Sequence, residues 1–526
     1  MEAGGSSRST ATRKRKSAAL EVDCYRPLAA PPDPGAAEHD VCGDGRDLHH
    51  MRNLGDLPDD MLLKIISLLP IKQGCRTQIL ARRWRPLWRS LPLNIDCADI
   101  VHSNDGKLGD VLQRIISSHQ GVCHRFSIRP ELSTDMDNDA AVDACLLSST
   151  LDKLKELEFY RRRWHNWQPM PVPALIFRFS PTLCVAKFGH FTLTDDALQG
   201  IHFPQLKKLV LHYVYLSDFS LNSMVARSPS LEFLLIIRCT GARRLRTNSF
   251  TLRTIAVDNH SPDPSIEELV IESAPHLQTL IHLDHNHDLH IATLSVPKLE
   301  TLGCTNSTRL VLGSTDIRHH QGPRIRGLAS AACKIKCLVL GMATLNLDMV
   351  IELMTTFPRL EKLYIQGQRI RGLAIVACKI KCLVLGMATL NLNMVIELMT
   401  TFPCLEKLYI QCQKSWENNL WHRKYRDLIT SRCFDIHLKT IVLDYYRGTK
   451  SDIDFVTFFV LSYRVLEKMK LLVKRNDDMV LAIHRHKLQL ENRASHGAHI
   501  NFLLKASDVC ISNIYNLCIQ ENILNL

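Results

Sequence analysis

The sequence predicts an α/β protein in which a small N-terminal helical module is followed by a curved solenoid with parallel strands on its concave face. Three observations carry this. Between Leu57 and Leu91 large apolar residues recur at helical spacing. From Leu154 onward, a leucine or isoleucine followed three and five residues later by apolar positions keeps returning, as in LKELEF, LKKLVL, LEFLLI and LRTIAV. Most returns lie about 20 to 29 residues apart, the spacing of a repeat that cannot bury its apolar edge alone and must stack.

Composition sets the bounds. A chain of 526 residues with 46% hydrophobic content can bury sizeable cores. The formal net charge of +12, from 65 basic and 53 acidic residues, is spread over the whole length and singles out no acidic partner. The 18 cysteines sit in apolar segments of a long chain without a secretory signal, which suits reduced thiols better than a disulfide framework. No run of about 18 uncharged apolar residues occurs, so no membrane partner is expected. Residues 1–50 contain GGSS and APPDPGAA and few periodic apolar residues, and read as a disordered basic leader. Its Arg13-Lys14-Arg15-Lys16 is either a cluster read by import receptors or nucleic acid, or a solvated tail; residence in nucleus, cytoplasm or both is expected.

The helical module occupies 53–95. Leu57-Pro58-Asp59-Asp60 opens it, with proline suited to a first helical turn and two acids complementing the helix dipole. Leu62, Ile65, Ile66 and Leu69 then form one apolar stripe that Pro70 ends. A second helix is expected over Cys75 to Trp84 with Ile79 and Leu80 inward, although Gly74 lowers local propensity by up to about 1 kcal/mol. Pro86 marks a break, and Leu87, Trp88 and Leu91 supply a third short helix. The unit holds more large apolar side chains than it can enclose, so a partner should cover them.

These residues resemble the F-box, in the form found in plant proteins that join it to leucine-rich repeats and a C-terminal FBD segment. The resemblance rests on Leu57-Pro58-Asp59, on Ser67-Leu68-Leu69-Pro70, on Arg76, Thr77, Arg83 and Trp84, and on Trp88. Cys75 stands where a valine is usual and Ala81 where a serine is usual. The resemblance implies docking on a small Skp-type adaptor that hangs from a cullin, with Leu57, Pro58, Leu62, Ile65, Leu69, Ile79 and Trp84 as adaptor contacts or their immediate support.

Residues 96–150 form a linker and the start of the solenoid, with a strand expected around Leu93 to Asp96 and a helix near Leu108 to Ser118. The leucine-rich repeats span 151–437, anchored on Leu154, Leu183, Leu206, Leu231, Leu252, Leu277, Leu299, Ile335, Leu360, Ile380 and Leu405. Proline two residues ahead of the anchor punctuates the turn at Pro204, Pro229, Pro275, Pro297, Pro358 and Pro403. The gap from Leu299 to Ile335 is too long for one unit and holds an inserted loop or a degenerate repeat. Residues 324–368 are duplicated by 369–413 with five differences: Ser330/Ile375, Ala331/Val376, Asp348/Asn393, Arg359/Cys404 and Gly367/Cys412. The segment 438–526 resembles the FBD. Its Ile441, Leu443, Leu466, Met469 and Leu471 continue the strand pattern, a helix with inward aromatics is expected over Asp454 to Leu461, and the whole reads as a closing cap.

No catalytic, cofactor or metal site emerges. His282, Asp284, His285, His287, Asp288 and His290 have ligand-type chemistry, but exposed polar residues are expected where a repeat strand passes into its loop. Cys333, Cys337, Cys378 and Cys382 form two Cys-x-x-x-Cys pairs by duplication, and read as buried thiols. Arg161 to Trp167, RRRWHNW, could stack nucleic acid or form a protein-binding edge. No phosphate loop, nucleophile elbow or zincin helix occurs. The leading expectation is a non-catalytic substrate receptor of an SCF-type ubiquitin ligase whose solenoid binds an unidentified protein target. The alternative is an F-box scaffold outside the ligase, associated with nucleic acid.

Overall fold

A computed structural model of the chain describes residues 57–100, 108–128, 139–160, 171–259, 266–283, 290–293, 295–305, 311–312, 324–326, 329–345, 347–370, 379–387, 395–396, 399, 401–412, 437–444, 446–473 and 484–504. The chain divides into residues 1–57, of which only Leu57 is described, and one compact unit from Pro58 to Leu526. The Arg13–Lys16 cluster, RRRWHNW and Cys378 lie outside the described residues.

The unit opens with helix α1, Asp59–Ser67, which buries Leu62 and Ile66. Helix α2, Ile71–Arg76, passes into a single tight turn at Thr77–Ile79, and helix α3 follows at Trp84–Ser90. The expected second helix over Cys75 to Trp84 is therefore not formed. Thr77 donates its hydroxyl to the Gly74 carbonyl at 2.6 Å, satisfying one of the acceptors that a helix end leaves open, and the chain turns there. Ile79 and Leu80, expected inward, are exposed instead, because they lie in the connection rather than on a helical stripe. Pro86 does not break a helix but sits in the first turn of α3, where its missing N–H costs nothing.

From Leu93 the chain enters a sheet of sixteen described strands, all neighbours parallel, ending with His499–Leu504. One row of the register contributes a single inward apolar residue per strand: Ile95, Phe126, Leu157, Ala186, Leu209, Leu234, Ile255, Leu280, Leu302, Leu338, Leu363, Leu383, Leu408, Ile441, Met469 and Ile500. All but Ile500 are buried, and each such leucine, isoleucine or phenylalanine is worth about 1.5–3 kcal/mol out of water. The eleven anchors are buried as well, in the same core. The strand Leu93–Asp96 and the helix Leu108–Ser118 form where the sequence predicts them; Cys97–Ile100 and Asp139–Leu146 add two short helices, so these elements are α4 (97–100), α5 (108–118) and α6 (139–146).

The layer behind this sheet changes character along the chain. Helix α7, Asp218–Ala226, covers it early on. A second parallel sheet then takes over, built from Arg244–Asn248, Glu268–Ser273, His290–Thr293, Arg324–Arg326 and Val311–Leu312 in that spatial order. The chain alternates between the sheets, and Leu245, Leu269 and Ile291 meet the long sheet's side chains in one core. The long gap between Leu299 and Ile335 thereby finds its place. Strand Thr301–Thr305 pairs directly with Cys337–Leu345, while the intervening segment supplies the last two strands of the second sheet. Helices return at Ala329–Ala332 (α8), Leu347–Thr356 (α9) and Lys450–Ser462 (α10). The last has a reciprocal Thr449/Asp452 capping box and buries Phe455 and Phe459, matching the expected aromatic-inward helix.

A charged row runs along the positions that open the strands. Backbone hydrogen bonds link Lys207, Glu232, Arg253, Gln278, Glu300, Lys336, Glu361, Lys381, Glu406, Lys439 and Glu467 in succession. Side chains pair across it at Lys336–Glu300 (2.9 Å), Arg253–Glu232 (3.4 Å) and Lys439–Glu467 (3.5 Å). Among the described residues, no helix is long and apolar enough to cross a membrane.

Candidate functional site

The N-terminal helices are held by contacts that leave one set of apolar residues outside. α1 packs on α3, with Leu62, Ile66, Trp84 and Leu87 buried. Asp59, at the start of α1, accepts from Arg83 Nε at 2.8 Å and Nη2 at 2.6 Å, fixing the connection that precedes α3. The residues expected to serve an adaptor therefore divide. Leu62 and Trp84 are interior supports; Leu57, Ile65 and Leu69 are half-buried; Pro58 and Ile79 face solvent. Met61, Leu68 and Leu80 were not among the expected adaptor contacts, yet with Ile79 they are 56%, 79%, 70% and 83% exposed. These four are a third of the twelve exposed large hydrophobics among the described residues, and all lie between positions 61 and 80. Four such residues within positions 61–80 are a denser set than the scattered apolar residues normal on a surface. Leu68 and Leu80 fall in tight turns, where helical periodicity does not report which way a side chain points.

Other candidates resolve differently. His282 is buried in the long sheet on the core side, beside Asn259 at 3.5 Å, whereas His290 is exposed on the second sheet. The expectation that this run is a solvated loop fails at His282, because it stands five residues after the Leu277 anchor, at a core position of the repeat inside strand Thr279–Leu283. Asp284, His285, His287 and Asp288 lie outside the described residues. Among the described residues, no three His, Cys, Asp or Glu side chains are placed to hold a metal. Cys337 and Cys382 are buried as expected, but Cys333 is exposed, since it follows α8 in a turn rather than lying in a strand.

The face of the long sheet away from the core is charged at its first strands, where Arg125 approaches Asp96 (3.9 Å), Glu156 (3.8 Å) and Glu158 (4.0 Å), and Lys187 approaches Glu158 (3.3 Å). Further along it turns apolar. Val210, Leu235, Ala256 and Ile281 form one cluster, and Val339, Tyr364, Val384, Tyr409 and Val442 another, with Gly303 between them in the same row. The residue between two core leucines of each repeat carries this pattern, which a search for the core alone passes over.

Comparison with known proteins agrees with this division of the chain. Residues 54–96 match the F-box domain model, residues 142–365 match a model described as FBD-associated F-box protein At5g56370, LRR repeats, and residues 430–471 match the FBD model. Among curated proteins, the chain is similar to several from Arabidopsis thaliana. It is 30% identical to F-box/FBD/LRR-repeat protein At5g56420 over 40% of this chain and 49% of that protein. It is 25% identical to F-box/LRR-repeat protein 13, and 25% identical to FBD-associated F-box protein At1g66310, in each case over 44% of this chain and 52% of the relative. The chain thus spans about half the length of these relatives. The N-terminal helices, the parallel-stranded repeat body and the closing segment each match their own family model in that order, so the chain carries an F-box, leucine-rich repeats and an FBD segment, as the names of its Arabidopsis relatives do.

Proposed function

We propose that this chain is the substrate-receptor subunit of an SCF-type ubiquitin ligase. Its F-box helices dock on a Skp-type adaptor and, through it, a cullin; the outer face of the long sheet holds a protein target. The bond-making chemistry belongs to other subunits, and the receptor contributes proximity, which raises the effective concentration of target lysines at the charged conjugating enzyme. The observation that carries this reading is the exposed set Met61, Leu68, Ile79 and Leu80, on helices otherwise packed and tied by Asp59–Arg83.

The test is co-purification with a Skp-type adaptor. Ile79→Asp/Leu80→Asp alters only exposed side chains, so the chain should fold normally and lose the adaptor. Trp84→Ala should lose it too, but through unfolding of the module, visible as a lowered melting temperature. Equal adaptor recovery by wild type and the aspartate variant defeats the proposal.

A further inference from the structure

We propose that the cavity where the F-box meets the solenoid binds a small organic anion with an apolar body. It has a volume of about 350 Å³, within the range of pockets that enclose small ligands, and lies between α2, α3 and α5. Its lining is sharply divided. Ile71, Trp88, Val111 and Ile115 supply apolar wall, while Lys72, Arg76 and Arg89 supply three cations. Among the described residues no carboxylate lines the cavity, and none of the three cations forms an ion pair. Lys72 and Arg76 stand one helical turn apart on α2, a like-charge spacing that is unfavourable and that an anion would relieve.

The wall is built before any ligand arrives. The Trp88 ring packs against α2 at Gly74, where a Cβ would come within 2.5 Å of it. His119 stands edge-on to the same ring, with ring centres 5.6 Å apart. That histidine is fixed in turn: its Nε2 lies 2.9 Å from the Trp88 carbonyl, and its Nδ1 accepts from the Gly121 N–H at 3.0 Å. A site of this size takes a small molecule rather than a partner's helix or strand. Its ligand would touch both the docking module and the first helix of the receptor body.

The test uses the full chain and two fluorescent probes, anionic 8-anilino-1-naphthalenesulfonate and its uncharged analogue N-phenyl-1-naphthylamine. The sulfonate should bind once per chain, about tenfold tighter than the neutral probe. Arg76→Glu/Arg89→Glu should weaken the sulfonate about tenfold and leave the neutral probe within about twofold. Cys75, on the cavity rim, should be alkylated more slowly when the sulfonate is bound, and Cys333 should not change. Ile79→Asp/Leu80→Asp should leave sulfonate binding intact, separating this site from the exposed apolar face. Equal affinity for the two probes, indifference to the charge reversal, an unprotected Cys75, or loss of binding in the Ile79/Leu80 variant would each overturn the proposal.

Discussion

The Asn222 side chain pairs with the backbone around Arg246 as a neighbouring strand would. Its Oδ1 accepts from the Arg246 N–H at 2.7 Å, and its Nδ2 donates to the Arg244 carbonyl at 3.0 Å. Asp218, one turn earlier on α7, accepts from the N–H groups of Arg243 and Arg244 at 2.6 and 2.9 Å. Together they close the edge of the second sheet, which would otherwise present open donors and acceptors to any passing strand. Asn222→Leu should therefore cost about 1 kcal/mol in urea unfolding and increase self-association of the native chain. An unchanged midpoint and a monomeric profile would show that the edge needs no such closure.

Gly74→Ala sets helix propensity against packing. Alanine should favour α2 by up to about 1 kcal/mol. The added Cβ, 2.5 Å from the Trp88 ring, forces that ring or the helix to move, at about 1–3 kcal/mol. Net destabilisation is expected, and a thermal melt that rises would place the clash below the propensity gain.

Asp195 gives stability a dependence on acid. It accepts from the hydroxyls of Ser217 and Ser220, next to the start of α7, and these donors hold its carboxyl below the ordinary value of 3.8. With a depressed folded pKa, its contribution is complete above the ordinary value and lost as pH falls through the folded one. Asp195→Asn should flatten the acid limb of a stability-against-pH curve. Parallel limbs for both proteins would remove Asp195 from the account.

Thiol reactivity should follow burial. Cys123 and Cys239 are pushed up to about 12, and Cys145 and Cys382 to about 11, chiefly by loss of water around the thiolate. Cys75 and Cys333 are exposed. Peptide mapping after brief iodoacetamide treatment near pH 8 should find Cys75 and Cys333 modified first among the described cysteines, with Cys123 and Cys239 reacting only on unfolding. Early labelling of Cys239 would contradict the packing around it.

Deleting residues 369–413 should leave a folded chain. Lys407 pairs with Thr440, and its counterpart in the first copy, Lys362, presents the same Lys-Leu-Tyr-Ile strand. Removing the second copy therefore joins the solenoid through a contact it already makes. Circular dichroism and a cooperative melt should both persist, whereas an aggregated or non-cooperative product would show that the copies are not interchangeable.

The repeat body was legible because its leucine pattern is the core itself: Leu154, Leu206 and Leu405 are both the motif and the buried contact. The second sheet was not. Its strands carry short alternations such as Arg244-Leu245-Arg246-Thr247, too brief to stand out from loop sequence. In the F-box, the Leu62/Ile66 stripe was readable from helical spacing. The orientation of Ile79 and Leu80 was not, because Thr77 bonds back to Gly74 and ends α2 before the stripe reaches them. The cavity beside Trp88 depends on two glycines and a histidine brought together by tertiary contact, which no local spacing announces.

The charged row at the strand openings gives the solenoid a parity. From Glu300 the signs run minus, plus, minus, plus, minus, plus, minus through Lys336, Glu361, Lys381, Glu406, Lys439 and Glu467. The duplicated block carries one lysine and one glutamate, so inserting or deleting it keeps every neighbour opposite in sign. A single-unit change would set two like charges side by side, at about 0.2–1 kcal/mol for each such seam. Length in this array is thus cheapest to change two units at a time.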